Sequence, residues 1–187
     1  MNEELLSALI RISPFIILML VIYIFIRLKR FNSSDIYLQK PNSWSRFAVC
    51  YFSFLLFILI TEITLYRFGL LEVTHWHHTF IPSVIRITGA VILAPVAEEL
   101  FFRGLILYRL EKLKMNRHAA ILLQAGLFVL AHNFAYENTM QSNIGVVQSF
   151  ADATLYAYAK YQTKSLFTPI AMHMTGNLIA TLEQFIL

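Results

Sequence analysis

The sequence has few charged residues and a single cysteine. Only 14% of its 187 residues are charged, whereas 58% are apolar, with 16 Phe and 9 Tyr among them. A soluble domain of this length cannot bury so many apolar side chains, so the composition excludes the ordinary soluble classes and indicates a membrane protein. Cys50 has no second cysteine to pair with, which excludes an intrachain disulfide framework.

Six apolar runs have the length, or nearly the length, of membrane helices, because a helical span takes about 20 residues. The first run is too long for the apolar part of a cleaved signal peptide, so we interpret it as the first span. The predicted spans are 5–28, 47–71, 81–110, 119–135, 144–158 and 166–187. The sequence therefore predicts an all-α fold, a polytopic bundle of about six transmembrane helices that forms a single membrane domain over residues 1–187.

Basic residues concentrate after the first, third and fifth predicted spans. They are Arg27, Lys29, Arg30, Lys40, Arg46, Arg109, Lys112, Lys114, Arg117, Lys160 and Lys164. By the positive-inside rule these loops are cytoplasmic and both termini lie outside. The net charge of +4 is then explained by contact with anionic lipid headgroups. We expect an integral membrane protein with lipid partners and no nucleic-acid partner.

Three charged residues, Glu98, Glu99 and Arg103, lie inside the third apolar run. Each charge at membrane depth costs at least about 2.5 kcal/mol, so together they indicate a functional site. Glu99 and Arg103 are four residues apart and share a helix face, which predicts an ion pair between them. Glu98 is rotated by about 100° and has no such partner within the helix. Pro95 is predicted to free the carbonyl of Val91 one turn earlier.

Two later spans carry polar pairs at the same four-residue spacing. Phe128 and His132 share a predicted helix face, and so do His173 and Asn177. Each pair alone fits ordinary hydrogen bonding between membrane helices. Together with Glu98, however, the pairs supply a general base, a group that positions water and donors for an oxyanion, which is the minimum set for hydrolysing an amide.

Three motifs carry a resemblance to a known family: Glu98-Glu99-Leu-Phe-Phe-Arg103-Gly104, Phe128-Val-Leu-Ala-His132 and His173-Met-Thr-Gly-Asn177. They resemble the motifs of the CAAX protease and bacteriocin-processing family, also called Abi, which includes the CAAX prenyl endopeptidases. The resemblance covers about residues 84–187 as a catalytic core, whereas residues 1–80 carry no matching motif. It implies that Glu98 and His132 activate a water, and that His173 and Asn177 stabilise the oxyanion. The remaining motif residues support the site: Glu99, Arg103 and Phe128.

The resemblance implies an intramembrane endopeptidase that cleaves a membrane-associated peptide or protein. Candidate substrates are a peptide pheromone or bacteriocin precursor, a membrane-bound regulator, and a prenylated protein. We favour a bacterial cell membrane and the first group of substrates, because the chain is short. The alternative function is a non-catalytic membrane binding protein, such as a bacteriocin self-immunity factor.

We expect no cofactor. The sequence has neither the His-Glu-x-x-His motif of zinc proteases nor the Gly-x-Ser-x-Gly motif of serine hydrolases. Zinc held by Glu98, His132 and His173 is conceivable as a three-ligand catalytic site. It is disfavoured because a carboxylate and an imidazole placed to activate water need no metal.

Overall fold

The chain folds as a bundle of six long helices. The computed structural model describes residues 3–71 and 73–186, and none of these residues forms a β-strand. The helices are α1 (Glu3–Arg27), α2 (Trp44–Arg67), α3 (Phe80–Lys112), α4 (Arg117–Leu130), α5 (Met140–Thr163) and α6 (Phe167–Ile186). Each helix overlaps one predicted span, which confirms the predicted all-α bundle. Leu187, the last residue of the predicted span 166–187, lies outside the described residues.

Three of these helices, α1, α2 and α3, are long and apolar enough to cross a membrane. Helix α4 is apolar but has only 14 residues. Helices α5 and α6 are long enough, but they carry the polar side chains that line the interior. Apolar side chains point outward from the bundle, including Ile17 with 59% of its surface exposed and Phe52 with 62%. This outer surface is the part of the molecule that lipid covers.

Side chains at the helix starts bond the backbone N–H groups that the helix itself leaves unpaired. Ser43 accepts from a first-turn N–H of α2, and Asn116 does so for α4. Thr139 and Ser142 form a reciprocal capping box at the start of α5. Helix α5 ends at Thr163, and the next residue, Lys164, has a left-handed φ of 50°. These caps set the boundaries of the helices because they satisfy donors that would otherwise be unpaired.

Helix α3 lies in the middle of the bundle, where it contacts α1, α4, α5 and α6. Two π-helical segments, Gly89–Leu93 and Glu99–Ile106, interrupt it, with the short α-helical segment Ala94–Glu98 between them. At Gly89 the helix comes so close to Ile12 of α1 that a Cβ atom would collide with it. The widened turns of a π-helix change the direction of the side chains that follow, and such turns are frequent at functional sites.

The structure corrects the position of Lys160. The sequence predicts this residue in a cytoplasmic loop after the fifth span, but α5 continues to Thr163 and Lys160 is fully buried inside it. Its Nζ donates a hydrogen bond to the carbonyl of Arg103 at 2.5 Å. Lys160 therefore does not contribute to the charge of a loop. The predicted orientation now depends on the other basic residues and stays a prediction.

Candidate active site

An open cavity of about 510 Å³ lies between α2, α3, α5 and α6. Four of the predicted site residues, together with Phe128, line it: Glu98, His132, His173 and Asn177. Leu71, Val73 and Thr74, from the segment after α2, form another part of its wall. Glu99 and Arg103 do not line the cavity, and both are fully buried. The structure thus brings all seven predicted residues into one connected group.

Glu99 is the centre of a buried polar network. Its Oε1 accepts hydrogen bonds from Arg103 Nη1 at 2.9 Å and from His173 Nδ1 at 2.8 Å. Glu99 and Arg103 have no exposed surface, and His173 has only 6% exposed. The predicted pairing of Glu99 with Arg103 is thus present in the structure. The hydrogen bond with His173 gives Glu99 a second role, which is to fix the orientation of the imidazole through Nδ1.

The guanidinium of Arg103 lies between two aromatic rings. Its Cζ is 4.5 Å from the centroid of the Phe128 ring and 5.1 Å from that of Tyr156. The Tyr156 ring also stacks on the imidazole of His173, with centroids 5.1 Å apart. Cation–π contacts of this kind are strongest where water is excluded. The two rings therefore hold Arg103 and His173 in place beside Glu99.

Glu98 faces the cavity from the end of the segment Ala94–Glu98. Its Oε2 lies 3.7 Å from His173 Nε2, and 15% of its side chain is exposed. That distance is too long for a direct hydrogen bond. A single water can bridge two atoms at this separation with bonds of about 2.8 Å to each. His173 therefore stands between the two glutamates, with Nδ1 on Glu99 and Nε2 toward Glu98.

His132 lies beyond the end of α4, which corrects its predicted place on a helix face. The helix ends at Leu130, whose carbonyl accepts a hydrogen bond from Tyr136 Oη at 2.6 Å. His132 is extended, with φ −106° and ψ 139°. Its Nδ1 bonds to the Phe128 carbonyl at 2.8 Å, and the two rings are 4.7 Å apart. The predicted contact with Phe128 is thus made by a turn, and Nε2 is left without a protein partner among the described hydrogen bonds.

Asn177 donates to the first π-helical segment of α3. The N–H that follows this segment bonds to the carbonyl of Gly89, five residues back. In that register the carbonyl of Ala90 would accept from residue 95, which is Pro95 and has no N–H. Asn177 Nδ2 supplies the donor at 2.8 Å. The carbonyl freed by Pro95 is therefore that of Ala90, whereas the sequence predicts that of Val91. The difference is one residue because a π-helical bond reaches five residues back and an α-helical bond reaches four.

Several polar residues outside the predicted site also line the cavity: Glu62, Gln148, Asp152, Tyr156 and Glu183. Gln148 donates a short hydrogen bond to Glu62. Helical spacing could have found most of them, since residues 148, 152 and 156 are four apart and share one face of α5. Tyr156 is buried, with only 2% of its surface exposed. Tyr156 shares a face of α5 with Asp152, and this spacing in the sequence could have predicted that Tyr156 is buried.

The cavity offers no preformed metal site within the described structure. Across residues 3–71 and 73–186, no three His, Cys, Asp or Glu side chains are placed so that they could hold a metal ion. Each imidazole of the predicted site also uses its Nδ1 in a bond within the protein. The absence of a cofactor stays a prediction, which a chelator can test.

A protein-family model described as Type II CAAX prenyl endopeptidase Rce1-like matches residues 80–179. The chain belongs to this family. The match includes more than half of the chain. It contains every residue of the three motifs, which confirms the resemblance seen in the sequence. Comparison with curated proteins and with solved structures gave no match for this Rce1-like chain.

Family membership and the apolar helices together make this Rce1-like chain an integral membrane protein of a protease class. A protease acts on a peptide or protein, so the partners of the chain include such a substrate as well as lipid. The family match does not depend on the cavity geometry. The two observations agree in location, because the matched residues 80–179 supply most of the cavity wall.

Proposed function

We propose that the chain is an intramembrane endopeptidase that hydrolyses a peptide bond of a membrane-associated precursor with a water activated by Glu98. The observation that carries this proposal is the facing pair of Glu98 Oε2 and His173 Nε2, 3.7 Å apart in the cavity. A carboxylate and an imidazole at this separation can hold one water between them. General base catalysis requires a base within hydrogen-bond reach of the proton that it takes.

The protonation of the two imidazoles follows from their partners. A carboxylate and a carbonyl only accept, so Nδ1 of His173 and Nδ1 of His132 each carry a proton. Both rings then turn Nε2 toward the cavity. For His132, the partner is a neutral carbonyl, which suits a group that orients the water. For His173, the partner is the carboxylate of Glu99, which can stabilise positive charge on the ring when Nε2 takes a proton.

The proposed reaction begins when Glu98 takes a proton from the water, whose oxygen attacks the carbonyl carbon of the scissile bond. Asn177 uses one amide N–H on Ala90 and can direct the other toward the resulting oxyanion. The second donor is Nε2–H of His173, whose ring carries protons on both nitrogens before the water attacks and keeps them through the reaction. The intermediate collapses, the C–N bond breaks, and Glu98 returns its proton to the amine that leaves. Water is consumed and two peptide ends are produced.

The substrate is proposed from the family and from the size of the site. A cavity of about 510 Å³ admits an extended peptide segment rather than a folded domain. We favour a peptide pheromone or bacteriocin precursor in a bacterial cell membrane. A membrane-bound regulator and a prenylated protein are the other substrates to test, the second because the family description is that of a prenyl endopeptidase. We further propose that the basic loops are cytoplasmic.

A binding protein without catalysis, such as a bacteriocin self-immunity factor, is the second candidate function. It is favoured by the bonds that motif residues make between helices, namely Asn177 with Ala90 and His173 with Glu99. Bonds of this kind could be the whole purpose of the motifs. In that case each is worth about 0.6 kcal/mol on average, and its loss is often silent.

The test uses purified protein in liposomes, a panel of precursor peptides and mass spectrometry of the products. His132→Ala, His173→Ala and Asn177→Ala are each expected to lower the cleavage rate by about 10² or more if the amide is hydrolysed here. His118→Ala is the matched control, because His118 is exposed and bonds Tyr158 far from the cavity wall.

A chelator is added in parallel. Cleavage that survives it supports a mechanism without metal, whereas loss with recovery on adding zinc would favour the zinc site. Variants that keep full biological activity in cells would overturn the protease proposal and support the binding role.

A further inference from the structure

Lys160 places a buried ammonium group against the helix that carries the two glutamates. The residue has no exposed surface, and its Nζ donates to the carbonyl of Arg103 at 2.5 Å. Nζ also lies 5.2 Å from the ring centroid of Tyr37 and 5.3 Å from that of Tyr161. Burial of an ammonium group is costly unless it is bonded. Lys160 is not among the residues that line the cavity, and the proposed reaction does not use it.

The acceptor of this bond lies in a part of α3 that is not an ordinary α-helix. Arg103 belongs to the π-helical segment Glu99–Ile106. The N–H of Leu107, directly after it, is directed to two carbonyls, that of Gly104 and that of Phe102, five residues back. A π-helical turn is rare, and it persists where the surrounding structure fixes it. A donor from a neighbouring helix on a carbonyl inside the segment is such a constraint.

The other π-helical segment of α3 has a matching bond, from Asn177 Nδ2 to the carbonyl of Ala90. The short segment Ala94–Glu98 is thus held on both sides, from α6 by Asn177 and from α5 by Lys160. Relaxation of either π-helical segment to an α-helix would rotate neighbouring residues by up to about 100°. Glu98 would then leave the cavity, or Glu99 would leave His173.

We infer that Lys160 is a positioning residue, which keeps the segment Glu99–Ile106 in its π-helical register and so directs Glu98 into the cavity and Glu99 onto His173. The inference rests on the proposed function only for the role of Glu98 in the reaction. The structural part, a bond that holds one segment of α3, can be measured without any substrate.

The main variant is Lys160→Met, which removes the donor and keeps the volume of the side chain. Lys160 makes no ion pair among the described residues, so Lys160→Met leaves no buried counter-charge unpaired. The loss of one hydrogen bond to a neutral carbonyl is a smaller perturbation than the loss of an ion-pair partner, so the variant is expected to fold. Lys160→Arg keeps a cationic donor and tests rescue. Lys40→Met is the matched control, because Lys40 is an exposed lysine.

The experiment measures amide hydrogen exchange along the full-length chain in lipid nanodiscs, and kcat and KM on a precursor peptide that the parent cleaves. For Lys160→Met, exchange should rise within residues 99–106 and stay that of the parent in α1, α2 and α6. The kcat should fall about 10- to 100-fold, as expected for a misplaced catalytic group, while KM is unchanged. Lys160→Arg should recover both, and Lys40→Met should match the parent.

Unchanged exchange in residues 99–106, or raised exchange with the kcat of the parent, would overturn the inference. Failure of Lys160→Met to fold, or raised exchange in all helices, would assign Lys160 a general structural role and would overturn it as well. If the parent cleaves no peptide, the proposed function fails, and the exchange data still decide whether Lys160 holds the segment.

Discussion

Replacement of Glu99 by glutamine should destabilise the protein strongly, because the charge removed is fully buried. Oε1 of Glu99 accepts from both Arg103 and His173, and neither Glu99 nor Arg103 has exposed surface. Glu99→Gln keeps the shape but leaves the buried guanidinium without its counter-charge. Removing one partner of a buried pair costs about 3 to 5 kcal/mol. For a chain of this length that corresponds to a fall in Tm of roughly 6 to 20 °C.

Glu98→Gln is the matched control, since it makes the same chemical change at the adjacent residue. The nearest charged partner of Glu98 is His173 at 3.7 Å, and the side chain is partly exposed. Glu98 makes no direct side-chain hydrogen bond to a cation among the described residues, so Glu98→Gln leaves no buried cation without a bonded partner, and the Tm should stay close to that of the parent. The two variants therefore separate the structural glutamate from the one that faces the cavity.

The assay is thermal unfolding in detergent, followed by intrinsic fluorescence, with the parent and both variants prepared in parallel. Adding Arg103→Met to Glu99→Gln should recover part of the lost stability, because it removes the uncompensated charge. A Tm for Glu99→Gln equal to that of the parent would refute the reasoning. So would a larger loss of stability for Glu98→Gln than for Glu99→Gln.

Two further predictions concern orientation and substrate binding. Cysteines introduced as Ser34→Cys and Lys114→Cys, in a Cys50→Ser background, should resist labelling by impermeant reagents added outside cells. Both loops are predicted to be cytoplasmic. Ready labelling of both cysteines would contradict this orientation. Glu62→Gln and Glu183→Gln alter the cavity wall away from the reacting groups, so each should raise KM about tenfold or more with little change in kcat, measured on a cleaved peptide. A fall in kcat alone would instead assign these carboxylates to the chemical step.

The six helices could be predicted from the sequence because apolar runs of membrane length leave few alternatives to a helix. The pairing of Glu99 with Arg103 was also predictable, since it needs only the spacing of four residues on one helix. Both properties are local. They depend on residues that are neighbours in the chain, and the rest of the fold does not alter them.

The remainder of the site depends on contacts between helices, and these cannot be predicted from spacing along one helix. The contact of His173 with Glu99 joins α6 to α3, and the burial of Lys160 depends on where α5 ends. A lysine near the end of an apolar run is usually a loop charge, whereas Lys160 is buried by contacts with other segments, including the Arg103 carbonyl and the Tyr37 ring. The apolar pattern also predicts His132 on a helix, because it continues past Leu130 and does not mark the residue at which α4 ends.

The π-helical segments of α3 were also beyond the reach of sequence periodicity. Pro95 marks the irregularity in the sequence. The prediction used α-helical spacing, however, and so named Val91 rather than Ala90 as the residue whose carbonyl lacks a backbone donor. A π-helical turn inserts an extra residue into the repeat. The stabilising donors, Asn177 and Lys160, come from helices far away in the chain. The spacing of residues along α3 alone therefore cannot predict these two donors.

The most direct test of the account is the cleavage rate of Glu98→Gln in liposomes on a precursor peptide that the parent chain hydrolyses, measured alongside its Tm. If Glu98 is the base that activates water, the variant should keep the Tm of the parent and lose a factor of about 10² to 10⁴ in rate. Cleavage at the rate of the parent by a folded Glu98→Gln variant would contradict the account.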